Sequence, residues 1–173
     1  MPKSLIIYYS RKGENYVNGR TASLKKGNTA ICAEFIQREV GGDLFEIEAV
    51  KEYPANYLVC TEEAAKEFKS HARPELKRYL SDIEGYDAIF VCGPCWWGTF
   101  PMPVFSLLDR LDLSGKKLLP LMTHEGSGLG HCVHDLLAAY PQAQLGKGLA
   151  VQGVRAASSE KTVRAWARNS LGK

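Results

Sequence analysis

Short apolar runs alternate along the chain with longer amphipathic segments. The clearest run, from Ala88 to Cys92, is entirely apolar, and it is followed by Gly93 and Pro94, which typically end a strand. Continuous apolar runs of this length are typical of strands that are buried on both faces. We predict five strands, over residues 3–9, 43–49, 86–92, 117–123 and 148–154.

Between these strands lie segments with apolar residues three or four positions apart, a spacing typical of helices. In the first of them, Ile31, Phe35, Ile36 and Val40 share one face. The predicted helices cover residues 28–40, 61–72, 101–111, 131–140 and 158–171. Alternating strands and helices predict an α/β fold with three layers, in which one parallel sheet lies between two layers of helices. A length of 173 residues suits a single domain over residues 1–173.

A polar, glycine-containing stretch separates the first strand from the first helix. It covers residues 11–26, and we predict a long loop there. Loops of this length are usually functional or disordered. The stretch interrupts a connection that is expected to carry ligand-binding groups. We therefore expect it to form a rim or lid on the site, with Tyr16 as its contact with the ligand.

Composition and charge narrow the classes of function. No apolar run is long enough to span a bilayer, and the first one is too short for a signal peptide, so we expect no membrane association and a cytoplasmic location. The net charge of +3 comes from scattered lysines and arginines, whereas nucleic-acid binding calls for a clustered basic face, so we expect no nucleic-acid partner. An odd number of cysteines without a secretion signal indicates free thiols; they are Cys32, Cys60, Cys92, Cys95 and Cys132.

In open parallel sheets, ligands bind beyond the carboxyl ends of the strands. The connection after the first strand ends at the start of a helix, where free backbone N–H groups form an anion site. Small hydroxyl and amide side chains there predict a phosphate site made by Ser10, Asn28, Thr29 and Ala30. A simple helix cap is the alternative interpretation of Asn28 and Thr29.

Two further connections have unusual compositions. The loop after the third strand brings aromatic side chains next to a strand end, and we predict that it forms a stacking surface for a flat heteroaromatic ligand. The glycines of the loop after the fourth strand let the backbone approach such a ligand closely. The candidate residues in these two loops are Pro94, Cys95, Trp96, Trp97, Gly98, Thr123, His124, Glu125, Gly126, Ser127 and Gly128.

Together, a phosphate site, an aromatic surface and a glycine-rich turn describe an FMN site. Four segments also resemble motifs of the flavodoxin superfamily; they are residues 9–11 (Tyr-Ser-Arg), 27–29 (Gly-Asn-Thr), 94–101 (Pro-x-Trp-Trp-Gly-Thr-x-Pro) and 123–128 (Thr-His-x-Gly-Ser-Gly). The resemblance implies a flavodoxin-like fold with strand order 2-1-3-4-5 and FMN as the cofactor.

The resemblance implies a redox function of one of two kinds. The first is reduction of quinone-like acceptors with NAD(P)H, and the alternative is a low-potential electron carrier that serves a redox partner protein. Carrier flavodoxins are strongly acidic, whereas this chain is basic. We also expect His124 to carry partial positive charge near the flavin pyrimidine, because the ordinary pKa of histidine is about 6.5. Both features favour the reductase.

Two other chemistries compete with a flavin. Cys92 and Cys95 form a Cys-Gly-Pro-Cys sequence like a thioredoxin dithiol, but the residues that follow are a poor helix start. His131, Cys132 and His134 suggest a metal, but no further ligands lie nearby in the sequence, so we predict none.

Overall fold

The computed structural model describes residues 3–173. Its strands are β1 (Ser4–Tyr8), β2 (Gly13–Val17), β3 (Arg20–Leu24), β4 (Asp43–Glu46), β5 (Ala88–Pro94), β6 (Lys117–His124), β7 (Gln144–Leu145) and β8 (Leu149–Gln152). Its α-helices are α1 (Asn28–Val40), α2 (Tyr57–Ser70), α3 (Met102–Leu108), α4 (Cys132–Ala139) and α5 (Glu160–Ser170). No helix among these residues is both long and apolar enough to cross a membrane.

The main sheet is parallel and has the order β4-β1-β5-β6, with β7 and β8 both paired to the outer side of β6. Numbered by predicted strands, this order is 2-1-3-4-5, so the predicted α/β fold and strand order are confirmed. The central strands β1 and β5 are in register with Ile7 opposite Val91. The carboxyl ends of β1, β5 and β6 therefore lie side by side, at the edge where ligands bind in such sheets.

The fifth position in the sheet is divided between two short strands, which differs from the single strand predicted over residues 148–154. Leu118 of β6 pairs with Leu145, and Leu121 pairs with Leu149, so residues 146–148 lie opposite the segment that contains Pro120. Proline has no N–H to donate to a neighbouring strand. The break between β7 and β8 therefore falls where β6 cannot pair continuously.

Each face of the sheet has its own hydrophobic core. Leu5 and Ile7 of β1 point into the core covered by α3 and α4, while Ile6 between them points into the core covered by α1 and α5. Side chains of successive strand residues alternate between faces, so a continuous apolar run contributes to both cores. The apolar runs of β1 and β5 thus follow from their position between two layers of helices.

The stretch over residues 11–26 is a β-hairpin, not the irregular loop predicted for it. Strands β2 and β3 pair antiparallel, with Val17 opposite Arg20. The two turn residues between them are Asn18 (φ 54°) and Gly19 (φ 80°). Positive φ at both positions defines the type I′ turn, for which Asn-Gly is the preferred sequence.

Several element ends also differ from prediction. Helix α2 begins at Tyr57 rather than at residue 61, because the side chain of Asn56 caps it by accepting a hydrogen bond from the N–H of Val59 at 3.0 Å. Strand β4 ends at Glu46. Residues Gly153–Ser158, predicted partly as strand, form a short 3₁₀-helix that leads into α5.

Candidate functional site

The three predicted loops meet at a cavity of about 330 Å³ at the carboxyl ends of β1, β5 and β6. We call this space the central cavity. Ten of the candidate residues line it: Asn28, Thr29, Pro94, Cys95, Trp96, Thr123, His124, Glu125, Gly126 and Ser127. The structure therefore brings residues from three separate connections to one place.

Five candidate residues lie elsewhere. Ser10 and Ala30 line a neighbouring cavity of about 460 Å³ between β1, β4 and α1. Trp97, Gly98 and Gly128 line neither cavity. These five residues are close in sequence to cavity residues, but their backbone conformations or hydrogen bonds direct them away from it.

The first loop is closed by hydrogen bonds among its own residues. The hydroxyl of Ser10 accepts a hydrogen bond at 3.0 Å from the N–H of Ala30, in the first turn of α1. Any side chain on Gly27 would overlap the Ser10 hydroxyl, so only glycine allows this approach. Ser10 thus caps α1 from outside the helix, and the preceding N–H groups of the first turn have no partner within the helix.

Thr29 and Thr123 join the first loop to the third. Both side chains are buried, and their hydroxyl oxygens lie 2.8 Å apart in a hydrogen bond. Asn28 lies beside Gly153, at the end of β8, where a Cβ would overlap both the Asn28 amide and the Glu125 carboxylate. The first turn of α1 is therefore held directly against the ends of β6 and β8.

Trp96 forms one wall of the central cavity and is held in a cluster of aromatic side chains. Its ring meets Tyr9 edge-on at a centroid distance of 5.2 Å and Tyr53 at 5.0 Å. Backbone hydrogen bonds between Trp96 and Thr99 close the loop behind it. Edge-to-face packing of this kind fixes ring orientation. Trp96 therefore presents a fixed aromatic surface to the cavity.

Trp97 has a different environment from its neighbour. Its backbone is left-handed (φ 56°), its side chain is 54% exposed, and its indole N–H donates to the carbonyl of Thr61 in α2 at 2.9 Å. The next residue, Gly98, also has positive φ and packs against His131, whose N–H donates to the Gly98 carbonyl at 2.7 Å. Trp97 and Gly98 thus connect the second loop to α2 and to the third loop.

The surroundings of His124 favour the neutral imidazole, which differs from the partial positive charge expected from the sequence. The N–H of Gly126 donates a hydrogen bond of 2.9 Å to Nδ1 of His124, so this nitrogen must be unprotonated. Burial lowers the pKa of His124 below its ordinary value, and the nearby Glu125 carboxylate raises it by a smaller amount. The remaining proton of the ring is therefore on Nε2.

The β2–β3 hairpin borders the central cavity and contributes Asn15 and Tyr16 to its lining. At the hairpin turn, the N–H of Asn18 donates to the carboxylate of Glu125 at 2.9 Å. The ring of Tyr16 stacks on Tyr57 at 5.9 Å, with 19° between the planes. The hairpin therefore bridges the third loop and α2.

Five lining residues were not among the predicted residues of the three loops: Arg11, Asn15, Tyr16, Tyr57 and Gly153. Of these, Tyr16 was expected to contact the ligand from the rim or lid. Arg11 donates from Nε to the carbonyl of Glu14, and from Nη2 to the carbonyls of Pro54 and Ala55, at 2.9–3.1 Å. Its position after Ser10 was a usable sequence signal for an anion site. Tyr57 and Gly153 had no such signal, because one was placed in a loop and the other in a strand.

The environment of Cys92 opposes dithiol chemistry. Its side chain is fully buried in the core under α1 and α5, and burial raises the pKa of the thiol well above its ordinary value. Cys95 packs against the opposite core and lines the central cavity. A nucleophilic thiolate forms in an exposed, electropositive environment, which Cys92 does not have.

The histidines of the fourth helix region pair with one carboxylate. Nδ1 of His131 lies 3.6 Å from Asp135, and Nδ1 of His134 lies 3.4 Å from it. Within residues 3–173 there is no group of three or more His, Cys, Asp or Glu side chains arranged to hold a metal ion. Cys132 is buried in the core below.

Comparison with models of known protein families shows to which family the chain belongs. The family model described as Flavodoxin matches residues 21–170, which include β3 without its first residue and every later element of the fold. The chain belongs to the flavodoxin family. No curated protein matches this flavodoxin-family chain.

Solved structures resemble this flavodoxin-family chain over almost its full length. Two proteins for which a flavoprotein assignment is proposed are similar: one from Bacteroides uniformis ATCC 8492 (27% identity, 96% of this chain and 98% of that one, TM-score 0.76) and one from Bacteroides eggerthii DSM 20697 (26% identity, 100% of both chains, TM-score 0.80). A flavoprotein from Lactobacillus acidophilus NCFM, solved in complex with FMN, has 20% identity over 94% of this chain and 98% of that one, with a TM-score of 0.66.

Proposed function

We propose that this flavodoxin-family chain binds FMN in the central cavity and uses it to reduce small quinone-like acceptors with electrons from NAD(P)H. The observation that carries this proposal is the convergence of three loops on one cavity, each with the chemistry that a different part of FMN requires. The Lactobacillus acidophilus structure, which contains FMN in a similar fold, supports the same cofactor.

The phosphate end fits the first turn of α1. This turn lies against the central cavity through Asn28 and Thr29, and backbone N–H groups at a helix start favour an anion. The guanidinium of Arg11 lines the same cavity and adds a positive charge. The hydroxyl of Ser10 already caps the helix, so we assign phosphate binding to backbone N–H groups, Asn28 and Arg11 rather than to Ser10.

The ring end fits the second and third loops. Trp96 offers a fixed aromatic surface, and a flat heteroaromatic ring stacks favourably on such a surface. The backbone from His124 to Ser127 lines the same cavity and can meet the polar edge of the ring with N–H and C=O groups, except for the N–H of Gly126, which donates to Nδ1 of His124. Gly126 has a φ of 150°, which side chains rarely allow, so the backbone can approach closely there.

FMN would supply the electron transfer, and the protein would set its potential through charge and hydrogen bonds. Among the residues that line the central cavity, Glu125 is the carboxylate, and its Oε2 accepts the N–H of Asn18. The chain as a whole carries a net charge of +3. Negative charge on a reduced cofactor therefore meets little repulsion, which favours two-electron reduction over a very low second potential.

The test combines cofactor identity with reduction. Protein freed of ligand is titrated separately with FMN and FAD by calorimetry, and the flavin that copurifies is identified by mass. We expect tight binding of FMN, bleaching of its visible absorption by NADPH without oxygen, and reoxidation by added quinone. Binding of FAD alone, or of no flavin, would overturn the cofactor. Strong accumulation of neutral semiquinone with a very negative second step in a potentiometric titration would instead identify an electron carrier.

A further inference from the structure

A second space adjoins the central cavity on the side of α2. It has a volume of about 290 Å³, and we call it the side chamber. It shares Arg11, Asn15, Tyr57, Cys95 and Trp96 with the central cavity. Its other lining residues are Cys60, Thr61 and Ala64 of α2, together with Trp97. Trp96 therefore lines both spaces.

The walls of the side chamber are mostly aromatic or small, and several of their polar groups are already paired. No carboxylate is among its lining residues in the described chain. Arg11 is the charged residue there, and its Nε and Nη2 donate to backbone carbonyls. The hydroxyl of Thr61 donates to the carbonyl of Leu58 at 2.6 Å. A strongly hydrated molecule would lose its water among these walls and gain few partners in return.

The outer wall of the chamber is held at an energetic cost. Trp97 has the left-handed backbone that bulky residues rarely adopt, and its indole N–H bond to the Thr61 carbonyl ties it to α2. Such a conformation persists only when its surroundings hold it, and these positions cluster at functional sites. Trp97 does not line the central cavity but does line the side chamber. A function of its left-handed backbone is therefore to be sought in the side chamber.

We propose that the side chamber binds a small, uncharged, planar aromatic molecule, and that this molecule is the quinone that accepts electrons. The volume is at the small end of ligand pockets, which are about 300–1,000 Å³, and suits one or two fused rings. Turnover, but not binding, rests on the function proposed above. The quinone takes a hydride, that is two electrons and one proton, from the reduced flavin and a second proton from solvent, and it leaves as the hydroquinone. NAD(P)H then gives a hydride to the oxidised flavin and leaves as NAD(P)+.

The test measures binding directly with 2,3-dimethyl-1,4-naphthoquinone, whose substituted ring cannot add to Cys60 or Cys95. Equilibrium dialysis gives its dissociation constant with flavin-free protein and with protein saturated with FMN. Ala64→Leu, on the chamber wall, is compared with Ala65→Leu, on the same helix but outside the lining. The FMN affinity of each variant is measured separately.

We expect the probe to bind both forms of the parent. Ala64→Leu should raise its dissociation constant about tenfold or more, because the added atoms fill the chamber, while Ala65→Leu should change it by less than about twofold. FMN affinity should stay unchanged in both. Absence of probe binding, equal affinities in the two variants, or complete displacement of the probe by FMN would overturn the proposal. Loss of FMN binding alone would overturn only the proposed function.

A second variant covers the case in which Ala64→Leu fails to fold. Trp97→Ala removes an exposed side chain from the outer wall, so its effect on the fold should be small. We expect about fivefold weaker binding of the probe, since stacking on one aromatic face is lost. An unchanged dissociation constant in a folded Trp97→Ala protein would overturn the proposal.

Discussion

The second loop (residues 94–101) and the β2–β3 hairpin both border the central cavity, but they are held in different ways. Trp96 in the loop packs against Tyr9 and Tyr53, and Phe100 is fully buried beside Gly93. The hairpin has no buried residue and contacts the rest of the protein through hydrogen bonds and the Tyr16–Tyr57 stack.

This difference indicates which wall is rigid and which can move. Regions with few buried apolar contacts open at low free-energy cost, whereas residues packed in a core open only with the whole protein. We infer that the loop provides a preformed surface for the cofactor. The hairpin is expected to open and close over it, and the lid role of residues 11–26 stays a prediction.

The largest expected effect follows from removing the rigid wall. Trp96→Ala should weaken FMN binding by about tenfold or more, since stacking on an aromatic ring contributes about 1–3 kcal/mol. It should also lower the thermal unfolding midpoint, because Tyr9 and Tyr53 lose their packing partner. Calorimetric titration and thermal unfolding measure the two effects.

Trp97→Ala is the matched control for this substitution. It removes the same side chain from the next position, which does not line the central cavity. We expect a change in FMN affinity of less than about threefold, as for residues without direct contact. Equal losses in the two variants would show that the two tryptophans share one role, contrary to the contrast drawn here.

Cys92 and Cys95, at the end of β5 where the second loop begins, differ in burial and are expected to differ in their effect on stability. Cys92→Ser should lower the free energy of unfolding by about 1–3 kcal/mol, because a hydroxyl without a partner enters a fully buried site. Cys95→Ser, at a half-buried position, should cost less. Urea unfolding measures both. Insulin-reducing activity that Cys92→Ser abolishes would contradict this structural role.

The hairpin can be loosened without altering the rigid wall. Glu125→Gln keeps an acceptor for the Asn18 N–H but removes the charge that strengthens the bond. We expect FMN to dissociate about threefold faster, with a smaller change in its association rate. Stopped-flow fluorescence follows the release. Glu62→Gln, an exposed change on α2, is the control and should leave the rate unaltered.

The smallest expected effect concerns pH. Because burial lowers the pKa of His124 below that of the unfolded chain, the unfolded state binds more protons at this site as the pH falls below about 6.5. The free energy of unfolding therefore keeps the full contribution of His124 above this pH. It decreases as the pH falls from the pKa of His124 in the unfolded chain to its lower pKa in the folded protein. NMR titration of the ring, assigned with His124→Gln, should show a midpoint below 6.5. A midpoint above it would contradict the neutral imidazole.

The fold was predictable because its signals are local and repeated. The apolar runs of β1 and β5 and the helical spacing of Ile31, Phe35 and Ile36 predict elements that the structure contains. The hairpin was also predictable from Asn18-Gly19, because Asn-Gly is a strong short signal for its turn. A loop was predicted there instead because the flanking strands are polar. The break between β7 and β8 was not predicted, although Pro120 is visible in the sequence. A proline interrupts pairing only with the strand that its missing N–H would face, and the sequence alone does not show which strand that is.

The site was predictable in part for a different reason. The position of a loop follows from strand order, so residues of three connections could be placed together before the structure was known. Side-chain direction does not follow from order. Trp97 leaves the central cavity because its backbone is left-handed, and Ser10 leaves it because it caps α1. Tyr57 and Gly153 reach it only because α2 begins, and β8 ends, where they do.

The division of the fifth sheet position also bears on association between molecules. A long regular edge strand offers a row of free N–H and C=O groups to the sheet of a second copy. Here the edge is interrupted at residues 146–148, where the exposed Lys147 adds a charge and its carbonyl accepts the indole N–H of Trp166 at 2.9 Å. This edge therefore offers no continuous template for pairing with another chain, and a fold built on an open parallel sheet is protected there against aggregation through its edge.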